Sequence, residues 1–341
     1  MDKPNVKGIP YGVANFEEVR SKNRYYVDKT MYLPLLEEAN DFLFLIRPRR
    51  FGKSLFVSMM QAYYDIAKAD RFETLFDGLW IKAHPTSLKN ACQIVYFDFS
   101  VIGSGSNEGE LESNFNKYCC QVLDMFAETY AGFYDKEFEE KVKAEDSARA
   151  KLNYINLHAR KKGYLLYLIV DEYDNFTNVI LSEGGKERFR RLTHASGFYR
   201  EYFKIFKVMF SRVFLIGVSP ITLDDLSSGY NIGWNISQDP RFNYMLGFSE
   251  SDVHTMFRYY QDNGKLRSDA DIEAMLEEMR PWYNNYCFSE DYIDAERLYN
   301  CDMVLYYLRH QVAFGRPPKE MVDVNVRTDY KKLQMLAGID R

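Results

Sequence analysis

The sequence predicts an α/β fold: a parallel sheet flanked by helices, followed by a C-terminal helical lobe. Three observations carry that prediction. An apolar strand at 42–46 runs through Arg47-Pro48-Arg49-Arg50-Phe51 into Gly52-Lys53-Ser54 and then an amphipathic helix. A second apolar strand, centred on 166–170, ends on the acid pair Asp171-Glu172. Further short apolar segments alternate with helical stretches, a pattern that builds parallel sheets through right-handed crossovers.

The first forty residues form a leader. It holds Gly8, Pro10 and Gly12, then Tyr25-Tyr26-Val27, then Asp28-Lys29-Thr30 opening a helix that includes Leu33, Leu35 and Leu36. After the strand at 42–46 and the loop, Leu55, Met59, Ala62, Tyr63 and Ile66 fall on one helical face. A second strand is expected at 92–99 and helices at 108–131 and 146–162, the latter stopped by Gly163. The acid strand follows. A fourth strand, 213–218, delivers Ser219 at its C-terminal end, the edge where open α/β sheets bind ligands.

From residue 249 the pattern is helical. Ser249 suits a helix cap, with Val253, Met256, Phe257 and Tyr260 on one face, and Ile272, Met275, Leu276 and Met279 repeat the spacing. Pro281 is expected to break that run. The irregular stretch Trp282-Tyr283-Asn284-Asn285-Tyr286 then reaches the ligand, closes the lobe or packs its rings in the core. The expected division is a core with its leader at 1–248 and a lid-like lobe at 249–341.

The loop before the first helix has the layout of a phosphate cradle. Backbone N–H groups from Arg49, Arg50, Phe51, Gly52, Lys53, Ser54 and Leu55 lie at a helix N-terminus, Lys53 reaches the β- and γ-phosphates, and the Ser54 hydroxyl holds Mg²⁺. The Walker A pattern G-x-x-x-x-G-K-[ST] has glycine where Arg47 stands. In the Walker B position, Asp171 is assigned to the Mg²⁺ shell and Glu172 to polarising water against the γ-phosphate. Standing alone, such a pair would sooner be read as a helix cap; the upstream loop turns the reading toward function. The interval between Lys53 and Asp171 has room for one extra strand, the arrangement of the additional-strand division of P-loop NTPases. There the strand bearing Ser219 lies between the loop strand and the acid strand. Two readings stay open for Ser219, a catalytic sensor with Thr222 nearby or simply a Ser219-Pro220 turn.

Composition excludes several classes. Net charge of −5 with 27% charged residues gives no bulk attraction to nucleic acid, although a local basic patch remains compatible. The five cysteines form no C-x-x-C pair, so neither a zinc site nor a disulfide framework is expected, and a reducing cytoplasm fits. No apolar run approaches the roughly 18 residues of a membrane span, so no membrane partner is expected.

On these residues the chain resembles the AAA-ATPase-like proteins of bacteria and archaea, which often carry a PD-(D/E)XK nuclease domain after the ATPase module. The matching stretches are IPYGVANF, YYVDKT, RPRRFGKS, IVDEYD, GVSPITLDDLSSGYNI, LGFSESDV, WYNNYCFS and LYNCDMVLYYL, spread over nearly the full length. In that family the loop usually reads Arg-Pro-Arg-Arg-Phe-Gly-Lys, which makes Arg47 a family trait. The chain departs at Asn285, where glycine is commoner, and Cys301, where proline is commoner. The resemblance implies an ATP-binding module with hydrolysis; the leading reading is an ATPase, with Mg²⁺, whose nucleotide state moves the helical lobe and controls a partner or downstream domain.

Glu139 with Lys141, and Asp329 with Lys331, match the short nuclease element by composition only and read as solvated charges. Any nuclease is expected beyond Arg341, LQMLAGIDR reading as the interior of a longer protein. The alternative function is an ATP-gated binding switch with negligible turnover. Arg188, Arg190 and Arg191, and the stripe Arg200, Lys204 and Lys207, could supply an arginine finger on self-association, contact nucleic acid, or form solvated surface.

Overall fold

A computed structural model describes residues 6–103, 107–175, 178, 197–219 and 233–323. Among these, β1 (Phe42–Ile46), β2 (Cys92–Asp98), β3 (Leu165–Asp171), β4 (Arg212–Gly217) and β5 (Trp234–Asn235) form one parallel sheet in the order β2-β3-β4-β1-β5. β4 therefore lies between the loop strand and the acid strand. Register aligns Ile46 with Gly217, Ile216 with Asp171, and Asp171 with Asp98, so the strand ends converge on one edge.

Period-two alternation sends the two sets of strand side chains to opposite cores. Tyr167, Ile169, Phe214, Ile216, Leu43 and Leu45 face a core shared with α1 (Phe16–Ser21), α2 (Tyr32–Ala39) and α3 (Lys53–Tyr64). The short helices α4 (Phe72–Leu75) and α5 (Trp80–Ala83) close that side. Leu166, Leu168, Val170, Val213 and Leu215 face α6 (Glu108–Thr129), α7 (Phe138–Ala144), α8 (Ala148–Lys162) and α9 (Phe198–Met209). Coverage on both faces explains why β3 is apolar almost throughout. Each fully buried Leu168, Ile169 or Val170 contributes about 2 kcal/mol.

Gly163 ends α8 in the left-handed region, its N–H closing on Ala159 and Arg160. On α7, Lys141 pairs with Glu137 and Lys143 with Glu139, so the candidate nuclease pair is engaged in surface ion pairs; Asp329 and Lys331 lie outside the described residues. Lys204 of the basic stripe pairs with Glu201. Arg188, Arg190, Arg191 and Thr222 also lie outside the described residues.

The helical region contains α10 (Glu250–Asp262), α11 (Ile272–Tyr283) and α12 (Cys301–Phe314), which share a third core. Ser249 caps α10 in a reciprocal box with Asp252. Pro281 does not end α11, which runs on to Tyr283. Proline removes one N–H and clashes one turn back; only two further residues follow it, and the buried Tyr283 anchors that last turn. Of the stretch read as irregular, Trp282 and Tyr283 complete α11 and the rest forms β6 (Asn284–Tyr286), paired antiparallel with β7 (Leu298–Tyr299). The leader reaches two of the cores: Phe16 is buried in the core beside α3, while Ile9, Tyr11, Tyr25 and Val27 pack on the third core.

Candidate functional site

The loop leaves β1 with Arg47 and turns into α3 at Gly52, whose φ of +83° is a left-handed conformation that glycine adopts without strain. Arg50 also has a positive φ, +69°. Lys53 is almost fully buried. Its Nζ donates to the Pro48 carbonyl at 3.3 Å and stands 3.6 Å from Glu172 Oε1. Ser54 Oγ donates to Asp171 Oδ2 at 2.8 Å. The loop, the start of α3 and the end of β3 thus gather Lys53, Ser54, Asp171 and Glu172 in one place.

Burial pushes the Asp171 carboxyl up to about 6, against the opposing hydrogen bond from Ser54 and the charge of Lys53. Its other oxygen accepts the Glu172 N–H at 2.9 Å. That bond closes a tight turn in which Glu172 takes a left-handed φ of +52°. For a residue with a Cβ this conformation costs about 1–2 kcal/mol. Such strain persists only where surrounding bonds impose it.

Those bonds come from Tyr173 and Asp174, to which the sequence reading gave no role. Asp174 is 1% exposed and accepts the N–H of Val218 at 3.1 Å and of Ser219 at 2.7 Å. Burial, then the nearby Glu172 charge, raises its carboxyl above the ordinary range. The Tyr173 hydroxyl donates to the Ser219 carbonyl at 2.8 Å, and the Tyr173 N–H to the Ile216 carbonyl at 3.3 Å. Ser219 therefore sits at the sheet edge beside the acid pair, its backbone held from both sides. The available signal was the third acid of IVDEYD, placed after the pair.

Arg47 is the larger surprise. Fully buried, its side chain is tied to main-chain carbonyls: Nη1 donates to those of Ile46 and Ser237, and Nη2 to that of Phe242. The guanidinium lies 3.9 Å from the centre of the Phe288 ring, and burial lowers its pKa to about 9. Phe51 is buried too, edge-on to Tyr286 at 4.6 Å. Tyr286 thus packs its ring on the loop through Phe51, while Trp282 is half exposed. Three successive loop carbonyls, of Arg49, Arg50 and Phe51, accept from Asn300 Nδ2, the Asp302 N–H and the Gly247 N–H. Asn300 also caps α12.

A cavity of about 410 Å³ opens beside the loop, bounded by Lys53, Ser54 and Glu172 at one end. Its other walls come from the leader, through Tyr25, Tyr26, Val27 and Lys29, and from Phe248, Met256 and Leu305. Within Asp28-Lys29-Thr30, Asp28 and Thr30 accept the N–H groups of Trp80 and Ile81 at the start of α5. Lys29 instead enters the cavity wall and pairs with Asp252 of α10 at 2.8 Å.

A family model described as "Predicted AAA-ATPase" matches residues 10–227, which include the loop, the acid pair and β4. The chain belongs to the AAA-ATPase-like family. Membership implies nucleotide binding. The chain is also similar to an Azotobacter chroococcum mcd 1 protein described as "Uncharacterized protein in vnfD 5'region", at 27% identity over 327 residues. That alignment covers 89% of this chain and 52% of the relative, so the chain spans about half the length of the curated protein it matches. The AAA-ATPase-like match ends before β5 and the residues beyond it, although Gly247, Asn300 and Asp302, all beyond the match, supply the three groups bonded to the loop. Among the described residues no helix is long and apolar enough to cross a membrane.

Proposed function

We propose that the chain is an ATP-binding module that hydrolyses Mg-ATP and couples the nucleotide state to its helical lobe. The observation that carries this is the Ser54–Asp171 hydrogen bond, which joins the loop helix to the acid strand. A hydroxyl and a carboxylate form a hard-oxygen donor set that fits Mg²⁺, which prefers few protein ligands and takes its remaining positions from water and phosphate. When bound, the ion would neutralise charge developing on the phosphate oxygens. Ser54 and Asp171 would hold it. Lys53 would meet the β/γ-phosphates, and backbone N–H groups from Arg49 to Leu55 would cradle them.

Glu172 would orient and polarise the attacking water, with Ser219 sensing the γ-phosphate. The strand order, with β4 between β1 and β3, supports the additional-strand division. The base would enter the cavity between leader and lobe, whose rings and aliphatic chains suit a flat heteroaromatic face. The division into a core at 1–248 and a lobe at 249–341 belongs to the same reading. It is supported by a separate apolar core that begins at Phe248. The carbonyls of Arg49 and Arg50, held by Asn300 and Asp302, give the lobe a direct route to feel phosphate binding.

The lobe would in turn control a partner or a downstream domain. Five cysteines without disulfides suit a reducing cytoplasm. The test is steady-state turnover of Mg-ATP by wild type and by Glu172→Gln. Loss of turnover with retained binding supports the ATPase. Equal and negligible turnover in both supports an ATP-gated switch instead.

A further inference from the structure

We propose that Asp174 is a positioning residue for Ser219, and that the turn 171–174 and the end of β4, 216–219, form one rigid unit carrying both Glu172 and Ser219. The inference rests on the ATPase reading given above for those two residues. Its support is a set of bonds running between the same two short segments. Asp174 takes two successive N–H groups, of Val218 and Ser219, and Tyr173 takes the Ile216 carbonyl through its N–H and the Ser219 carbonyl through its hydroxyl. Every residue of the β4 exit except Gly217 is therefore bonded to the turn.

Gly217 is the place where the two segments touch. A Cβ there would lie 2.6 Å from Tyr173 Cε1 and fall on Asp174 Oδ1. The absent side chain lets the turn close on the strand. Behind the turn, the Tyr199 hydroxyl donates to the Tyr173 carbonyl, and Asn178 Nδ2 donates to Asp174 Oδ2 at 3.0 Å. A buried carboxylate is expensive unless its hydrogen bonds are met. A helix cap would satisfy N–H groups that follow it closely in sequence. Asp174 instead reaches across 44 and 45 residues to a neighbouring strand, which is what fixing the relative placement of two groups on two strands requires.

The unit has a chemical consequence. Glu172 acts on the water and Ser219 on the γ-phosphate only if their separation matches the in-line geometry, and misplacement by about 1 Å can lower a rate about a hundredfold. Asp174 sets that separation without touching either reactant.

The test compares Ser219→Ala, Asp174→Asn, the double variant and Tyr173→Phe. Asp174→Asn keeps the shape but turns one acceptor into a donor facing an N–H. We expect Ser219→Ala and Asp174→Asn each to lower kcat for Mg-ATP by about tenfold to a hundredfold, with KM within about twofold. The double variant should be no slower than Ser219→Ala, and Tyr173→Phe should lose about threefold to tenfold in kcat. Calorimetry with a non-hydrolysable ATP analogue and with ADP reads the same contact without turnover: the analogue-to-ADP affinity ratio should fall alike in Ser219→Ala and Asp174→Asn.

Wild-type kcat and ratio in a folded Asp174→Asn protein would overturn the proposal, as would additive losses in the double variant. Should Asp174→Asn not fold, Tyr173→Phe decides alone, unchanged values overturning the proposal. If Glu172→Gln turns over like wild type, the ATPase reading has failed, and the affinity ratio still decides the role of Asp174.

Discussion

Ser54 and Asp171 stand 117 residues apart in sequence and are joined by a 2.8 Å hydrogen bond. β4 separates β1 from β3, so the two strands are about 10 Å apart. The loop and first turn of α3 cross that gap and bring the hydroxyl over the acid. The same crossing places Lys53 Nζ 3.6 Å from Glu172 Oε1.

Lys53→Ala is expected to weaken Mg-ATP binding by on the order of a hundredfold, because a compact ammonium at the loop helix is the charge best placed for the β/γ-phosphates. Calorimetric titration measures it. An unchanged Kd would mean that the nucleotide binds elsewhere.

The two acids should separate in their effects, since one is hydrogen-bonded to Ser54 and the other paired with Lys53. Glu172→Gln should retain Mg-nucleotide affinity within about threefold while turnover falls by about a hundredfold or more. Asp171→Ala should weaken the Mg²⁺-dependent part of binding. Titrations with and without Mg²⁺ distinguish them, and a Glu172→Gln protein that has lost Mg²⁺-dependent affinity would exchange the two assignments.

The raised carboxyl of Asp171 makes a stability prediction with a definite sign. Its folded value of about 6 exceeds the ordinary 3.8, so the folded chain binds more protons than the unfolded chain between those values. Its contribution is greatest below about pH 4 and is lost as pH rises through about 6, leaving a cost of about 3 kcal/mol for the ionised group. In EDTA, Asp171→Asn should therefore stabilise the protein at pH 8 by about 1–3 kcal/mol and change little at pH 4. Urea melts at both pH values measure this. A destabilised variant at pH 8 would show that the ionised form is the better accommodated one.

Local patterning made much of this fold legible. β1 fell at its expected limits, Gly163 ended α8, and Ser249 capped α10, because strand alternation, a left-handed cap and a capping box are written within a few neighbouring residues. The order of β1, β4 and β3 was also legible, from the spacing of two motifs. What escaped was set by distant partners. β5 is two residues long and exists by pairing with Leu43 and Phe44, and β6 exists by pairing with β7. Tyr173 and Asp174 stood in view inside IVDEYD, yet their partners lie on β4. The cavity needs leader residues near 25 and helical residues near 305 together, a closure that no window of sequence contains.

Arg47 gives the last prediction. It occupies the place of the first glycine in the common loop pattern, and restoring that glycine should damage the protein. The guanidinium donates to the carbonyls of Ile46, Ser237 and Phe242, the last two 190 and 195 residues away, and stacks on Phe288. Arg47→Gly would leave those carbonyls short of a donor, open a cavity the size of a large side chain and free the backbone at the end of β1. Orphaned buried acceptors cost about 1–3 kcal/mol and large-to-small core changes about 2–5 kcal/mol, with incomplete additivity between them. A loss of about 3–5 kcal/mol is expected in denaturant melts. Arg47→Lys should recover only part of it, since an ammonium cannot span the same carbonyls in a planar fork while lying on a ring. A glycine variant as stable as wild type would show that the contacts of Arg47 contribute nothing net, and that the arginine stands in the loop for a reason other than anchoring it.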